Sequence, residues 1–211
     1  AVMDGIDVIG IAQTGTGKTA AFGIPMVTTL SKDPRAQALI LVPTRELAAQ
    51  IHEVLDQLTL NFPAIRSCVL IGGASMHMQH VALSKKPRIL IATPGRLLDH
   101  LAQRTISLAN VTMLVLDEAD RMLDIGFEPQ LRRIFTHVPK KRQTLLFSAT
   151  FPASIERLAD QYLIQPKKIS VGAVSRPVDT VAQSFVKTTS LEKNSVLLKE
   201  LSERKGSVLI F

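Results

Sequence analysis

Short apolar runs alternate along this chain with longer stretches in which apolar residues recur every three or four positions. Seven runs rich in Val, Ile and Leu predict β-strands, at residues 7–11, 38–42, 67–71, 88–92, 111–116, 144–147 and 168–171. Helical spacing occupies the segments between them, most clearly at residues 18–30 and 47–58. Because the apolar runs are continuous, the strands are expected to be buried on both faces, as in a parallel sheet covered by helices. The pattern therefore predicts an α/β fold.

The pattern changes near residue 172, where large apolar side chains become scarce. Beyond this point, residues 181–188 alternate like a strand, residues 191–204 have helical spacing, and residues 207–211 resemble the start of another strand. We therefore expect one domain over residues 1–172, a linker over residues 173–180, and the beginning of a second domain over residues 181–211.

Composition narrows the class of protein only a little. The 211 residues are 46% hydrophobic and 20% charged, which is enough to bury a core and argues against a disordered or fibrous chain. The formal charge of +7 fits a polyanionic partner but fits plain solubility as well. A single cysteine, Cys68, suits a reducing compartment. No apolar run approaches the roughly 20 residues that span a membrane, so we expect a cytoplasmic protein without a membrane partner.

A Gly-rich loop follows the first predicted strand and leads into a helix. This phosphate loop is Ala12-Gln13-Thr14-Gly15-Thr16-Gly17-Lys18-Thr19. Glycines let successive backbone N–H groups face a phosphate, the lysine reaches the β- and γ-phosphate oxygens, and the threonine hydroxyl binds Mg²⁺. The usual pattern begins with Gly, where this chain has Ala12, and the alternative is a simple turn before a helix. We expect all eight residues to bind a nucleoside triphosphate.

Two acidic residues follow the apolar run at residues 111–116. The carboxyl ends of parallel strands are where open α/β sheets bind ligands. Triphosphate hydrolysis needs one carboxylate for Mg²⁺ and one to orient or deprotonate the attacking water. We assign Asp117 to the metal, largely through water, and Glu118 to the base; the alternative is an acidic turn that caps the next helix. With the phosphate loop upstream, this order predicts a hydrolase in which Glu118 and Lys18 are catalytic.

Four further motifs occur in the same chain: Pro43-Thr44-Arg45-Glu46-Leu47-Ala48, Gly72-Gly73, Thr93-Pro94-Gly95-Arg96 and Ser148-Ala149-Thr150. Together with the phosphate loop and the acidic motif Asp117-Glu118-Ala119-Asp120, they resemble the first RecA-like domain of a DEAD-box RNA helicase over about residues 5–172. The resemblance implies a RecA-like P-loop fold with a mostly parallel sheet and helices on both faces, followed by the start of a second RecA-like domain. It also implies that the nucleotide is ATP, bound with Mg²⁺.

The resemblance implies that three of these motifs, here called the rim motifs, bind RNA. Their residues are Pro43, Thr44, Arg45, Gly72, Gly73, Thr93, Pro94, Gly95 and Arg96. Each motif follows a predicted strand, so all three are expected at the same edge of the sheet. Small residues and backbone N–H groups there suit contacts to the sugar–phosphate chain rather than to base identity. Taken singly, each motif also fits a helix cap or a turn.

The last motif, residues 148–150, is here called the hydroxyl segment. In related proteins this segment hydrogen-bonds the final Asp of the acidic motif, which is Asp120 in this chain. The resemblance implies that Ser148, Thr150 and Asp120 couple the nucleotide state to RNA binding. The two hydroxyls also suit an ordinary helix cap.

Two parts of the family pattern are not found in these residues. Eleven residues precede Ala12, and none is the Gln with which the family reads adenine or the aromatic residue that packs near it. The second domain, with its arginine finger, is expected to be incomplete. Since an arginine finger is worth about 10³–10⁵ in rate, we expect these 211 residues alone to hydrolyse ATP very weakly.

The sequence thus predicts an ATP-dependent RNA helicase, in which Mg-ATP binding and hydrolysis drive RNA binding and local unwinding or remodelling. One alternative is a non-catalytic, ATP-dependent RNA clamp or scaffold, against which the presence of Glu118 and of the hydroxyl segment argues. Another alternative is a P-loop motor that acts on DNA or protein. The third rim motif and the acidic motif argue against it, because both suit RNA helicases better.

Overall fold

The computed structural model of this chain describes residues 1–13, 15–171 and 184–210. The chain divides into two compact units, residues 1–175 and 176–211. Thr14 of the phosphate loop and the expected linker at residues 173–180 lie outside the described residues. The predicted domain boundaries and the identity of the second unit stay predictions.

The first unit is built on a seven-stranded sheet in which every described pairing is parallel. Its strands are β1 Val8–Ile11, β2 Gln37–Leu41, β3 Ser67–Leu70, β4 Ile89–Ala92, β5 Val111–Leu116, β6 Gln143–Ser148 and β7 Lys167–Ser170. They lie in the order β3-β4-β2-β5-β6-β1-β7. All seven predicted strands are present, and the predicted α/β fold with a parallel sheet is confirmed.

Helices cover both faces of this sheet. After a 3₁₀ turn at Val2–Asp4 come α1 Lys18–Lys32, α2 Arg45–Thr59, α3 Met76–Ser84, α4 Pro94–Ala102, α5 Ala119–Asp124, α6 Glu128–Phe135 and α7 Ala153–Tyr162. Alternate residues of one strand enter two separate apolar clusters, as Ile40 and Leu41 of β2 do. One cluster contains α1 and α2, and the other contains α4 to α7. The sheet is therefore buried on both sides, which explains the continuous apolar runs.

A buried carboxylate aligns the strands that carry the phosphate loop. Asp7, which is 6% exposed, lies just before β1. Its Oδ1 accepts a hydrogen bond of 2.7 Å from the Thr144 amide in β6, and its Oδ2 accepts one of 2.7 Å from the Ile164 amide before β7. One side chain thus fixes β1 against both neighbours at the opposite edge of the sheet from the phosphate loop.

The second unit has one regular element among its described residues, the helix α8 Lys193–Glu203. It lies inside the predicted helix at residues 191–204. The predicted strands at residues 181–188 and 207–211 are wrong for their described parts, since residues 184–188 and 207–210 are not strands. A strand requires a neighbour to pair with its backbone groups, and the described part of this unit offers none. Across both units, the described helices include none with the length and apolar character to cross a bilayer.

Candidate active site

The sheet order gathers the predicted site residues into two adjacent groups at the carboxyl edge. The phosphate loop follows β1, the acidic motif follows β5, and the hydroxyl segment begins at the last residue of β6; these three strands are neighbours. The three rim motifs follow β2, β4 and β3, which are also neighbours. The two groups meet where β2 pairs with β5. This common edge is where open α/β sheets bind ligands.

The phosphate loop turns through two glycines with left-handed backbone. Gly15 has φ 80° and Gly17 has φ 87°, and no described atom lies within 4 Å of a Cβ placed on either. Their conformation, rather than lack of space, therefore requires glycine. Gly17 caps α1, so that the helix begins at Lys18. The buried Ala12 donates its amide to the carbonyl of Ser148 at 3.0 Å, which ties the loop to the end of β6.

Lys18 and Asp117 face each other in a buried position. Lys18 Nζ lies 3.9 Å from Asp117 Oδ1, and the two side chains are 9% and 4% exposed. Among the described residues Lys18 Nζ has no hydrogen-bond partner. Burial raises the pKa of Asp117, and the charge of Lys18 opposes this rise without cancelling it. An ammonium without hydrogen bonds and a desolvated carboxylate both carry a cost, and an anion bound with a cation would offset it.

These residues fit a magnesium-bound triphosphate. The orphaned Lys18 Nζ needs acceptor oxygens, which phosphate supplies, and the Asp117 carboxylate is the kind of oxygen ligand that Mg²⁺ takes. Thr19 lies in the first turn of α1, one residue after Lys18. The N-terminus of α1 adds the positive end of a helix dipole to the same place.

Glu118 has an unusual backbone for a residue other than glycine. Its φ and ψ are 50° and 51°, a left-handed conformation that costs about 1–2 kcal/mol for an L-residue. Its amide donates to Asp117 Oδ1 at 3.0 Å. Arg121 Nη1 donates to Glu118 Oε2 at 3.3 Å, so the carboxylate is held from within α5. Sequence reasoning missed Arg121, although its spacing of three residues from Glu118 is a standard helical pairing signal.

Both the side chain and the backbone amide of Asp120 are hydrogen-bonded to the hydroxyl segment. Its Oδ2 accepts from the amide and the hydroxyl of Thr150, each at 2.9 Å, and from the Ala149 amide at 3.2 Å. Its own amide donates to Ser148 Oγ at 3.3 Å. Burial alone would raise the pKa of Asp120, but the bonds from Thr150, Arg121 and Ser148 outweigh it and lower the pKa below its usual value. Helix α5 is thereby fixed to the end of β6.

Most residues of the rim motifs line one open groove of about 520 Å³, here called the rim groove. Its lining contains Pro43, Thr44, Arg45, Gly72, Thr93, Gly95 and Arg96, together with Glu46, Asp99 and Phe127. Of the remaining two predicted residues, Gly73 lies against Arg45 and Pro94 is the buried first residue of α4. Asp99 and Phe127 were not predicted, since both lie outside the six motifs.

Two of the rim residues are also structural. Thr44 Oγ1 accepts a bond of 3.2 Å from the Leu47 amide, so Thr44 caps α2 as the alternative interpretation had it. Arg96 Nη1 donates to the carbonyl of Ala74 at 2.9 Å, which joins α4 to the loop after β3. Arg96 Nε is buried without a hydrogen bond among the described residues and lies 3.7 Å from Asp99 Oδ2.

The sequence matches a family model described as DEAD/DEAH box helicase over residues 1–158. It is 44% identical over 205 residues to the DEAD-box ATP-dependent RNA helicase CshA of Bacillus subtilis, covering 97% of this chain and 41% of that protein. It is 43% identical over 213 residues to the ATP-dependent rRNA helicase rrp3 of Schizosaccharomyces pombe, covering 100% of this chain and 46% of that protein. The chain thus spans less than half the length of these relatives.

A solved structure agrees with these matches. The yeast DEAD-box splicing factor Prp28 superposes with a TM-score of 0.79 at 33% sequence identity, over 94% of this chain and 48% of that one. Its likeness supports the RecA-like assignment of the parallel sheet and its covering helices. With the family model matched over most of its length and its six motifs gathered at one sheet edge, this chain belongs to the DEAD/DEAH box helicase family.

Proposed function

We propose that this chain forms the ATP-binding part of an ATP-dependent RNA helicase, in which Mg-ATP binding and hydrolysis drive RNA binding and local unwinding or remodelling. The observation that carries the proposal is the buried pair of Lys18 and Asp117, whose ammonium lacks a hydrogen-bond partner among the described residues. Both groups carry a desolvation cost that bound Mg-ATP would offset.

In this proposal the phosphate loop holds the triphosphate through residues 12–19, Thr14 included. Lys18 would neutralise the β- and γ-phosphate oxygens, while Thr19 and Asp117 would hold Mg²⁺, largely through water. Mg²⁺, when bound, neutralises charge that develops on the phosphate oxygens. Glu118 orients the attacking water and accepts its proton, and Arg121 keeps the Glu118 carboxylate in place from 3.3 Å.

The rim groove binds the sugar–phosphate chain of RNA in the same proposal. Backbone amides at Gly72 and Gly73 and the N-terminus of α4 supply donors, and Arg45 and Arg96 supply charge. Such contacts recognise phosphate and 2′-hydroxyl groups and leave base identity largely unread. The open shape of the groove supports this, because an extended backbone needs a surface channel rather than an enclosed cavity.

Asp120 connects the acidic motif to the hydroxyl segment. It belongs to the motif that contains Glu118, and it accepts three hydrogen bonds from the segment after β6. A change in this segment would move the start of α5 and with it Glu118. We therefore assign Asp120, Ser148 and Thr150 to the coupling between nucleotide state and RNA binding.

The test is ATP hydrolysis by a polypeptide of the relatives' length that carries this chain, measured with and without single-stranded RNA. RNA is expected to raise the turnover rate, and Lys18→Ala is expected to abolish it. Equal rates with and without RNA would contradict the helicase. ATP-dependent RNA binding without turnover would instead favour the non-catalytic clamp.

A further inference from the structure

A line of buried polar groups runs between α3 and α4, outside the predicted site. Gln79 Nε2 donates to the carbonyl of Ile71 at 3.0 Å. Gln79 Oε1 lies 3.1 Å from His100 Nε2, and His100 Nδ1 lies 2.8 Å from Thr105 Oγ1. Gln79 is 6% exposed and His100 is 0% exposed. Burying a polar side chain costs free energy unless it is hydrogen-bonded, so the presence of these polar groups in the interior needs a structural or functional explanation.

The donor and acceptor of each hydrogen bond in this line can be assigned by starting from the Ile71 carbonyl. The carbonyl of Ile71 can only accept, so the Gln79 amide nitrogen faces it and the Gln79 oxygen faces His100. His100 Nε2 therefore carries the proton. Burial lowers the pKa of His100, and the nearby charges of His80 and Arg96 lower it further while Asp99 opposes them, so the ring is neutral at pH 7. Its Nδ1 then accepts from the Thr105 hydroxyl at 2.8 Å, which is nearer than that hydroxyl's other acceptor, the His100 carbonyl at 3.1 Å.

The line ends at the loop that carries Gly72 and Gly73. Ile71 is the residue directly before these glycines, and Ala74 directly follows them. Arg96 donates to the Ala74 carbonyl at 2.9 Å, and Gln79 donates to the Ile71 carbonyl while its oxygen is held by His100. Since Arg96 and His100 both belong to α4, this helix holds the four-residue loop at both ends.

We propose that Gln79 and His100 are positioning residues of the rim groove, which fix the glycine amides at a set distance from the N-terminus of α4. This rests on the proposed function, in which both places contact one RNA strand. Two binding groups on separate elements bind one ligand tightly only when the distance between them is already fixed in the free protein. Otherwise part of the binding free energy is used to order the two elements. Neither residue lies in the phosphate loop or the acidic motif, so nucleotide binding should not depend on them.

The test uses a polypeptide of the relatives' length with Gln79→Met, His100→Phe and the double variant, which keep side-chain volume but remove the hydrogen bonds. RNA affinity is measured by fluorescence anisotropy, and the KM for RNA and for ATP is measured in the hydrolysis assay. Each single variant is expected to raise the Kd and the KM for RNA about tenfold, while the KM for ATP changes less than twofold. The double variant should be no worse than either single one, since each already breaks the line.

Met78→Gln is the matched control, because Met78 is 64% exposed in the same helix, and it should bind RNA as the wild type does. Gln79→Met with native thermal unfolding and RNA binding within twofold of wild type would overturn the proposal. So would equal rises in the KM for ATP and for RNA, which mark general damage to the fold. Failure of the wild type to bind RNA would instead overturn the proposed function.

Discussion

The guanidinium of Arg45 occupies the space that a side chain on Gly73 would fill. Arg45 is the first residue of α2, and Gly73 belongs to the loop after β3, with φ 76°. The neighbouring Gly72 differs, since its φ is not left-handed and a Cβ there would lie 3.8 Å from Arg45 Nη2. The two adjacent glycines therefore serve different purposes, and only the second is required by both conformation and contact.

Gly73→Ala is expected to weaken RNA binding by a polypeptide of the relatives' length about tenfold, because Arg45 must leave its place and the backbone is strained. Thermal unfolding should show a loss of about 1–2 kcal/mol. Gly72→Ala is the matched control and should cost less in both measurements. Equal effects of the two substitutions would contradict the assigned contact.

Glu118→Gln is expected to lower the turnover of ATP at least about 100-fold, since an amide cannot accept the proton of the attacking water. Binding of ATP and RNA should persist, because the phosphate loop and the rim groove are unchanged. Single-turnover hydrolysis and RNA anisotropy measure the two effects. Glu128→Gln, which removes an exposed ion pair with Arg132, is the control and should leave turnover intact. Retained turnover in Glu118→Gln would exclude Glu118 as the base.

Asp117→Asn is expected to raise the unfolding temperature of the nucleotide-free chain at pH 7. The pKa of Asp117 is raised by burial in the folded state, so its ionised form disfavours folding at pH values above that pKa, and the penalty disappears as the pH falls through it. The variant removes this penalty but also removes the carboxylate that we propose as a Mg²⁺ ligand.

Scanning fluorimetry with and without Mg-ADP separates these effects, because a ligand that binds only the folded state raises its unfolding temperature. The wild type should be stabilised by Mg-ADP and Asp117→Asn should not. The exposed Asp124→Asn in the same segment is the control and should keep the response. A lower unfolding temperature for Asp117→Asn without ligand would contradict the stated sign.

Thr150→Val is expected to destabilise the chain by about 1 kcal/mol at neutral pH, because Asp120 loses a charged hydrogen bond of 2.9 Å. The pKa of Asp120 is lowered in the folded state, so this stability is present above the usual value of 3.8 and is lost as the pH falls through the folded pKa. The difference between wild type and variant should therefore vanish in acid. Urea unfolding at several pH values measures it, and a difference that is constant with pH would contradict the assignment.

Gly10→Ala is expected to cost about 1–3 kcal/mol of unfolding free energy, because its Cβ would lie 2.5 Å from the ring of Phe147 on the neighbouring strand. Phe147→Leu should leave space for the added Cβ, because it removes the ring. The double variant should then lose less than the sum of the two single losses, and additive losses in urea unfolding would contradict this contact.

The strands were predictable because a strand buried in a parallel sheet corresponds to a single local run of apolar residues, as at residues 111–116. Their order in the sheet was not predictable from such runs, since the pattern inside a segment says nothing about its neighbour. The strands predicted at residues 184–188 and 207–210 are wrong for the same reason. A pattern within a segment indicates a preference for extended backbone, but a strand forms only where a neighbouring strand pairs with it.

Residues of the candidate site were predictable where chemistry and local spacing coincide, as at Lys18 and Asp117. The hydrogen bonds that hold the site in place were harder to foresee. Gln79 and His100 are 21 residues apart, and neither belongs to a motif, so only the folded chain brings them together. Asp7 likewise carries no local signal, although it accepts bonds from two distant amides.

The position of β1 between β6 and β7 has a consequence for synthesis on the ribosome. The strand that carries the phosphate loop is made early, but the amide that its Asp7 binds lies 137 residues later in the chain. Such non-local pairing is slow to form and leaves apolar strands without neighbours in the meantime. A nascent chain that has not yet exposed β6 therefore holds the complete phosphate-loop sequence without the neighbouring strand against which β1 is aligned. We therefore expect nucleotide binding only after β6 has left the exit tunnel and paired with β1.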